Sequence, residues 1–201
     1  TSFTQEMGVI SQIDGNITFD VTVTNTGNVA GKDVVEVYYN PPYTNGGIEK
    51  ASANLVAFEK TNLLEPGASQ TITISYAVED MASYDDKTAK AYVLETGDYG
   101  ISIRTDSHTI VKEQIYNVPA TVIYSDESGR ASDELTATNQ FDFATGTVTY
   151  LSRADKFANY ADSTKAPENY TLGDDYKPLF MNNSNYDPAA YNNADDEMPV
   201  T

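Results

Sequence analysis

Apolar and polar residues alternate with a period of two along the first half of the chain. Ile17, Phe19, Val21 and Val23 are interleaved with Thr18, Asp20, Thr22 and Thr24. That spacing predicts a strand with one buried face and one wet face. Asn25, Gly27 and Gly31 then break the run with residues that tolerate turn geometry. The next run reaches Tyr39, with Val35 and Val37 alternating around Glu36. Phe3 to Ile13 reads as an earlier strand, joined to the first by a tight turn at Asp14-Gly15-Asn16. Further strands are expected at Asn54 to Thr61, Gln70 to Ala77, Ala91 to Leu94 and Tyr99 to Thr105, with an edge strand over Thr109 to Tyr116. Glu65-Pro66-Gly67-Ala68 fits a type II turn. Val78 to Asp86 is helix-compatible but too short for more than a turn or two. About seven short strands, with turn signals roughly every 8–12 residues, predict an all-β antiparallel sandwich.

The pattern fades after Tyr116. Asn, Asp, Tyr and Ala dominate, as in Asn182-Asn183-Ser184-Asn185-Tyr186-Asp187-Pro188. One strand at Thr147 to Leu151 and one helical turn at Asp155 to Tyr160 are the only elements the pattern suggests there. A structureless run of this length is unusual inside a compact domain. The expected division is therefore a sandwich over 1–116 and an extended linker or tail over 117–201. The tail would pack on the sandwich or on domains outside this chain. The abrupt start at Thr1-Ser2-Phe3-Thr4 reads as a piece of a longer protein or as a processed one.

Composition narrows the function classes. The net charge is −18, with 30 acidic and 12 basic residues in 201. The acidity is spread evenly: residues 1–116 hold 16 acids and 7 bases, and residues 117–201 hold 14 and 5, so each part carries −9. Such a charge argues against nucleic acid and against an anionic membrane as partners. No Cys is present, so disulfides and thiolate metal sites are excluded. That leaves the compartment, cytoplasmic or secreted, open. No apolar run approaches the roughly 20 residues a spanning helix needs.

Candidate chemistry is sparse. His108 is the only His and reads as a surface residue at a strand end, and zinc is improbable without other ligands. Asp80, Asp85 and Asp86 offer hard oxygens for Ca²⁺ but lack the dense alternation of a calcium loop, so a solvated turn is favoured. The Asp195-Asp196-Glu197 run reads as linker charge. No metal or cofactor is expected. The best contact candidates are Tyr38, Tyr39 and Tyr43, beside Pro41 and Pro42. Tyr rings stack on sugars and also serve protein interfaces. Tyr38 and Tyr39 should point to opposite faces, leaving one of them in the core. Packing against missing domains is favoured over sugar binding for this group. Asn16-Ile17-Thr18, Asn169-Tyr170-Thr171 and Asn182-Asn183-Ser184 match the glycosylation acceptor pattern, which arises by chance in Asn-rich sequence and means little in a bacterium.

Five stretches together resemble a known domain. Val23-Thr24-Asn25-Thr26-Gly27-Asn28-Val29-Ala30-Gly31, followed by Val34-Val35-Glu36-Val37-Tyr38, resembles the fibronectin type III-like domain of family 3 glycoside hydrolases. Leu55-Val56-Ala57-Phe58-Glu59-Lys60 resembles its L-x-G-F-x-K strand, with Ala57 where Gly is usual. Leu64-Glu65-Pro66-Gly67, Asp80-Met81-Ala82-Ser83-Tyr84-Asp85 and Gly97-Asp98-Tyr99 resemble its later turns in the same order. Val148-Thr149-Tyr150-Leu151-Ser152-Arg153-Ala154-Asp155 is similar to a segment of members with permuted domain order. The resemblance implies an immunoglobulin-like sandwich lying between an α/β domain and a barrel. It implies a non-catalytic accessory role in a β-glucosidase, with the catalytic domains of the same chain as partners. An independent carbohydrate-binding or cell-surface adhesion module is the alternative. The family's nucleophilic Asp sits in a Ser-Asp-Trp context on the barrel, and this chain has no Trp. Ser125-Asp126-Glu127 and Ser132-Asp133-Glu134 hold only its first two letters, so no catalytic residue is carried over.

Overall fold

The computed structural model describes residues 1–125, 129–130 and 150–165. Eleven strands lie among them: β1 (Phe3–Met7), β2 (Ser11–Ile13), β3 (Asn16–Asn25), β4 (Val34–Asn40), β5 (Asn54–Lys60), β6 (Ser69–Ala77), β7 (Ser83–Asp85), β8 (Ala91–Leu94), β9 (Gly97–Arg104), β10 (Ile110–Val118) and β11 (Val122–Tyr124). Every pairing is antiparallel. In one sheet β3 is central, with β1 and β2 along one edge and β6 along the other. The second sheet runs β10-β9-β4-β5. The two inner faces meet in a single core. Ile17, Phe19, Val21 and Val23 of β3 join Ile72 and Ile74 of β6 on one side, and Val35, Val37, Ile101 and Ile103 supply the other. The fold is thus the all-β sandwich that the period-two pattern predicts.

The structure departs from that pattern in three places. The single strand expected over Phe3 to Ile13 is two. Met7 pairs with Val21 and Ser11 with Thr18, so three residues, Gly8 to Ile10, oppose two. This is a bulge, and the Gln114 side chain fills the broken ladder: its Nε2 donates to Gly8 O at 2.7 Å and its Oε1 accepts from Ile10 N–H at 3.2 Å. The stretch after β6 is a 3-10 turn at Val78–Met81 followed by a strand, β7, which alternation over three residues could not reveal. Finally β8 leaves the sandwich and forms a small third sheet, β11-β8-β7.

Local turn chemistry is as expected. Asp14 and Gly15 both have positive φ, 48° and 80°, between the paired residues Ile13 and Asn16, as a type I′ hairpin requires. Gly67 has φ 81° and Ala68 N–H donates to Glu65 O at 2.9 Å, which completes the type II turn.

Compact packing divides the chain into a unit of residues 1–160 and a unit of residues 161–201. Residues Asp155 to Tyr160, expected to form one helical turn, are turns and bends up to Asn159, and the helical turn α1 (Tyr160–Ser163) only begins at Tyr160. Tyr150 and Leu151 are not in a strand, and the rest of the expected strand at Thr147 lies outside the described residues, as do Asn169, Asn182 and the acidic run at Asp195.

Candidate interaction site at the β4–β5 loop

The tyrosine group proposed for contact separates into three environments. Tyr39 faces the core, where its ring lies 6.4 Å from that of Tyr99 at 36°. Tyr38 points to the opposite face, as alternation requires, yet it too is buried. One of the pair, Tyr39, thus lies in the core as expected, and what covers Tyr38 on the outer face is Arg104. Its guanidinium lies 5.3 Å from the Tyr38 ring centroid and is itself only 3% exposed. Arg104 Nε donates to Ser102 Oγ at 2.8 Å, Nη1 to Ser107 O at 2.9 Å, and Nη2 to Asn40 Oδ1. Tyr38 OH in turn donates to Glu36 Oε2 at 3.1 Å. Neither Tyr38 nor Tyr39 offers a ring face to solvent. Burial pushes the Tyr39 hydroxyl above its ordinary value, which keeps it a neutral phenol.

Tyr43 is the member in reach of other segments. It lies in the loop between β4 and β5, and the segment after residue 150 closes over it. The Arg153 guanidinium sits 4.0 Å from the Tyr43 ring centroid. Arg153 Nη1 donates to Lys50 O at 3.1 Å. Glu49 receives Ser152 Oγ at 2.6 Å and the Arg153 backbone N–H at 3.0 Å. The Ser152 hydroxyl, ahead of the Arg153 N–H, holds the Glu49 carboxyl below its ordinary value. On the other side of the loop Lys50 pairs with Glu95, which precedes β9. The loop is thus tied both to the sandwich and to the returning chain. Of these groups, Ser152 and Arg153 fall in a stretch the sequence comparison had already singled out. Glu49 and Arg104 carried no signal of their own, because an isolated charged residue in a strand or loop usually marks only a wet position.

The remaining candidates are occupied locally. Asp85 accepts the backbone N–H groups of Lys87, Thr88 and Ala89 at 3.0–3.1 Å, and Asp80 Oδ2 accepts from Ala77 N–H. Burial raises the Asp85 pKa, and these three donors outweigh it to leave the carboxyl below its ordinary value. No group of three potential metal ligands occurs among the described residues. His108 is exposed in the β9–β10 turn, where Asp106 Oδ1 accepts its backbone N–H at 2.7 Å. A cavity of ≈ 650 Å³ near the start of β1 includes Asp33 and Glu36 in its lining. Asp33 accepts from Gln5 Nε2 and Glu36 from Tyr38 OH, so both carboxylates have structural partners. Asp126, Asp133 and the acidic residues beside them lie outside the described residues.

A sandwich of this topology defines a fibronectin-type module. Residues 33–107 match the fibronectin type III-like domain family. The chain carries that domain in the form found in family 3 β-glucosidases. It is 35% identical over 167 residues to β-glucosidase A of Butyrivibrio fibrisolvens, covering 80% of this chain and 19% of that protein. To a β-glucosidase of Ruminococcus albus it is 42% identical over 90 residues, 43% of this chain and 9% of the relative. Among solved structures, the β-glucosidase of Kluyveromyces marxianus in complex with glucose superposes with TM-score 0.56 at 27% identity, over 62% of this chain and 14% of that one. β-Glucosidase 3B of Thermotoga neapolitana gives TM-score 0.51 at 31% identity, over 60% and 16%. The chain therefore spans about a fifth or less of the length of these relatives. A continuous match to 80% of 201 residues necessarily includes positions 45–155. The span matched to the Butyrivibrio enzyme therefore includes the positions of both Glu49 and Arg153.

Proposed function

We propose that this chain is a non-catalytic bracing module, with its following linker, of a family 3 glycoside hydrolase. The observation that carries this reading is the combination of a fibronectin type III-like sandwich with relatives several times longer that are β-glucosidases. The parent protein would hydrolyse terminal β-linked sugars, and by family resemblance would do so with retention through two carboxylates on domains outside this chain. The module's partners would be those catalytic domains. The linker would leave the sandwich under the control of the Glu49–Arg153 clasp and run toward the next domain. The alternative, a free-standing carbohydrate-binding or adhesion module, would place Tyr43 or another ring against a glycan. Arg153 already covers the Tyr43 ring, which favours the bracing role.

The test is expression of the whole open reading frame with and without residues 1–116, alongside the 201-residue chain alone. Aryl β-glucoside turnover by the whole protein, its loss or thermal sensitisation on deletion, and none above background for the chain alone are expected. Turnover by the chain alone would refute the assignment. Saturable glucan binding by it would instead favour the alternative.

A further inference from the structure

The two outer faces of the sandwich are built differently. The outer face of the β3–β6 pair is a hydroxyl ladder. Thr18 bonds Ser75 at 3.2 Å, Thr22 bonds Thr71 at 3.0 Å, Thr24 bonds Ser69 at 2.7 Å, and Thr73 donates to Asp20 at 2.7 Å. These groups satisfy one another and leave methyls and oxygens to water, as expected for the wet side of an antiparallel sheet. The outer face of the β10-β9-β4-β5 sheet has a different composition. In register, Leu55 lies opposite Tyr38 and Phe58 opposite Glu36. Glu36 is opposite Arg104, which is opposite Ile110, and Ile115 lies across from Gly100. Phe58 is 69% exposed, Ile115 57% and Leu55 50%. Between these apolar positions lies the Tyr38–Arg104 stack, held rigid by Ser102, Asn40 and Ser107.

We propose that this face, with Phe58 and Leu55 as its anchors, is the surface that docks on the adjoining domain of the same polypeptide. The inference rests on the bracing role proposed above and says which side of the module performs it. Aliphatic and aromatic side chains around a pre-ordered Tyr–Arg centre are the composition of a protein interface core. A sugar site would need free donors and acceptors beside the exposed Phe58 ring to meet the hydroxyls. Instead, Glu36 across from that ring accepts from Tyr38 OH, Arg104 donates to Ser102, Ser107 and Asn40, and Leu55 is the apolar neighbour along β5. A second copy of the chain would compete poorly. The relatives hold at least 80% of their length outside the matched region, and a tethered neighbour acts at an effective concentration on the order of millimolar.

The decisive experiment is backbone hydrogen exchange on the full open-reading-frame protein and on the 201-residue chain, each as wild type, Phe58→Asp with Leu55→Asp, and Thr22→Asp. Phe58 and Leu55 are exposed, so the double variant should fold as the isolated chain does, which its unfolding temperature checks. In the full protein, β5 and β10 should exchange at least about 10-fold more slowly than in the isolated chain, and the double variant should abolish that difference while Thr22→Asp leaves it. Protection on β3 and β6, sensitive to Thr22→Asp, would overturn the face assignment and leave the bracing role standing. No protection on either face would overturn both. Protection of β5 in the isolated chain that grows with its own concentration would assign the face to self-association instead. Protection induced there by added glucan would assign it to carbohydrate.

Discussion

Asn25 offers the sharpest test of how this sandwich is held at its corner. It is fully buried at the end of β3. Its Nδ2 donates to Leu64 O at 2.8 Å and to Val29 O at 3.0 Å. Its Oδ1 accepts the Gly27 N–H at 2.9 Å and the Thr1 hydroxyl at 2.8 Å. One amide thereby ties the chain start, the turn after β3 and the loop before β6. Asn25→Ala removes all four bonds. Each is worth about 1 kcal/mol net, and a partner left dry costs about 1–3 kcal/mol. Thr1 and Val29 are exposed and regain water. Leu64 is buried, though its carbonyl also accepts from Gly31 N–H at 3.1 Å, so its desolvation is softened. Two bonds lost outright, plus a partial penalty at Leu64, give a loss of about 3 kcal/mol. At about 4 °C per kcal/mol for a domain of this size, Tm should fall by about 12 °C. Thermal unfolding of the 201-residue chain followed by far-UV circular dichroism reads this directly. A fall under about 3 °C, with the fold intact, would mean that water replaces the amide at no cost and would refute the reasoning. The opposite corner substitution, Thr22→Ala on the wet face, should change Tm far less, since Thr22 keeps only an exposed hydroxyl pair.

Gln114→Ala should open the bulge between β1 and β2 without unfolding the core. The Ile10 amide should exchange at least about 10-fold faster, and an unchanged rate would show that the side chain does not fill the broken ladder. Glu49→Ala should free the Arg153 segment, read as several-fold faster trypsin cleavage after Arg153; equal rates would deny the clasp. Because the Glu49 carboxyl is held below its ordinary value in the folded chain, the clasp's contribution is present above the unfolded pKa. It is lost as pH falls through the folded value. Protection of the Arg153 amide should accordingly decline on acidification in the wild type and show no such step in Glu49→Gln.

Strand positions, the hairpin at Asp14-Gly15 and the turn at Pro66-Gly67 were legible because each depends on neighbours in sequence. Alternation reports one buried face, and positive φ calls for Gly or Asp within two or three residues. The domain family was legible for the same reason, since its motifs are those turns and strands in order. What stayed hidden was long-range and polar. Asn25 looked like a turn residue, and only the approach of Leu64, Thr1 and Val29 makes it a buried junction. Tyr38 alternated correctly to the outer face, but Arg104, 66 positions later, decides that this face is covered there.

The sequence alone therefore determined the class of fold, the place of most strands and tight turns and the absence of thiol chemistry. These follow from side-chain period, backbone preference and composition, all of which are local. Tertiary structure decided which strands left the sandwich for the β11-β8-β7 sheet, and how Gln114 completes a ladder begun 104 residues earlier. It also decided that Glu49 and Arg153 meet across a similar separation. A hydrogen bond or a stacked guanidinium needs two groups within a few ångströms, and only the folded chain sets that distance.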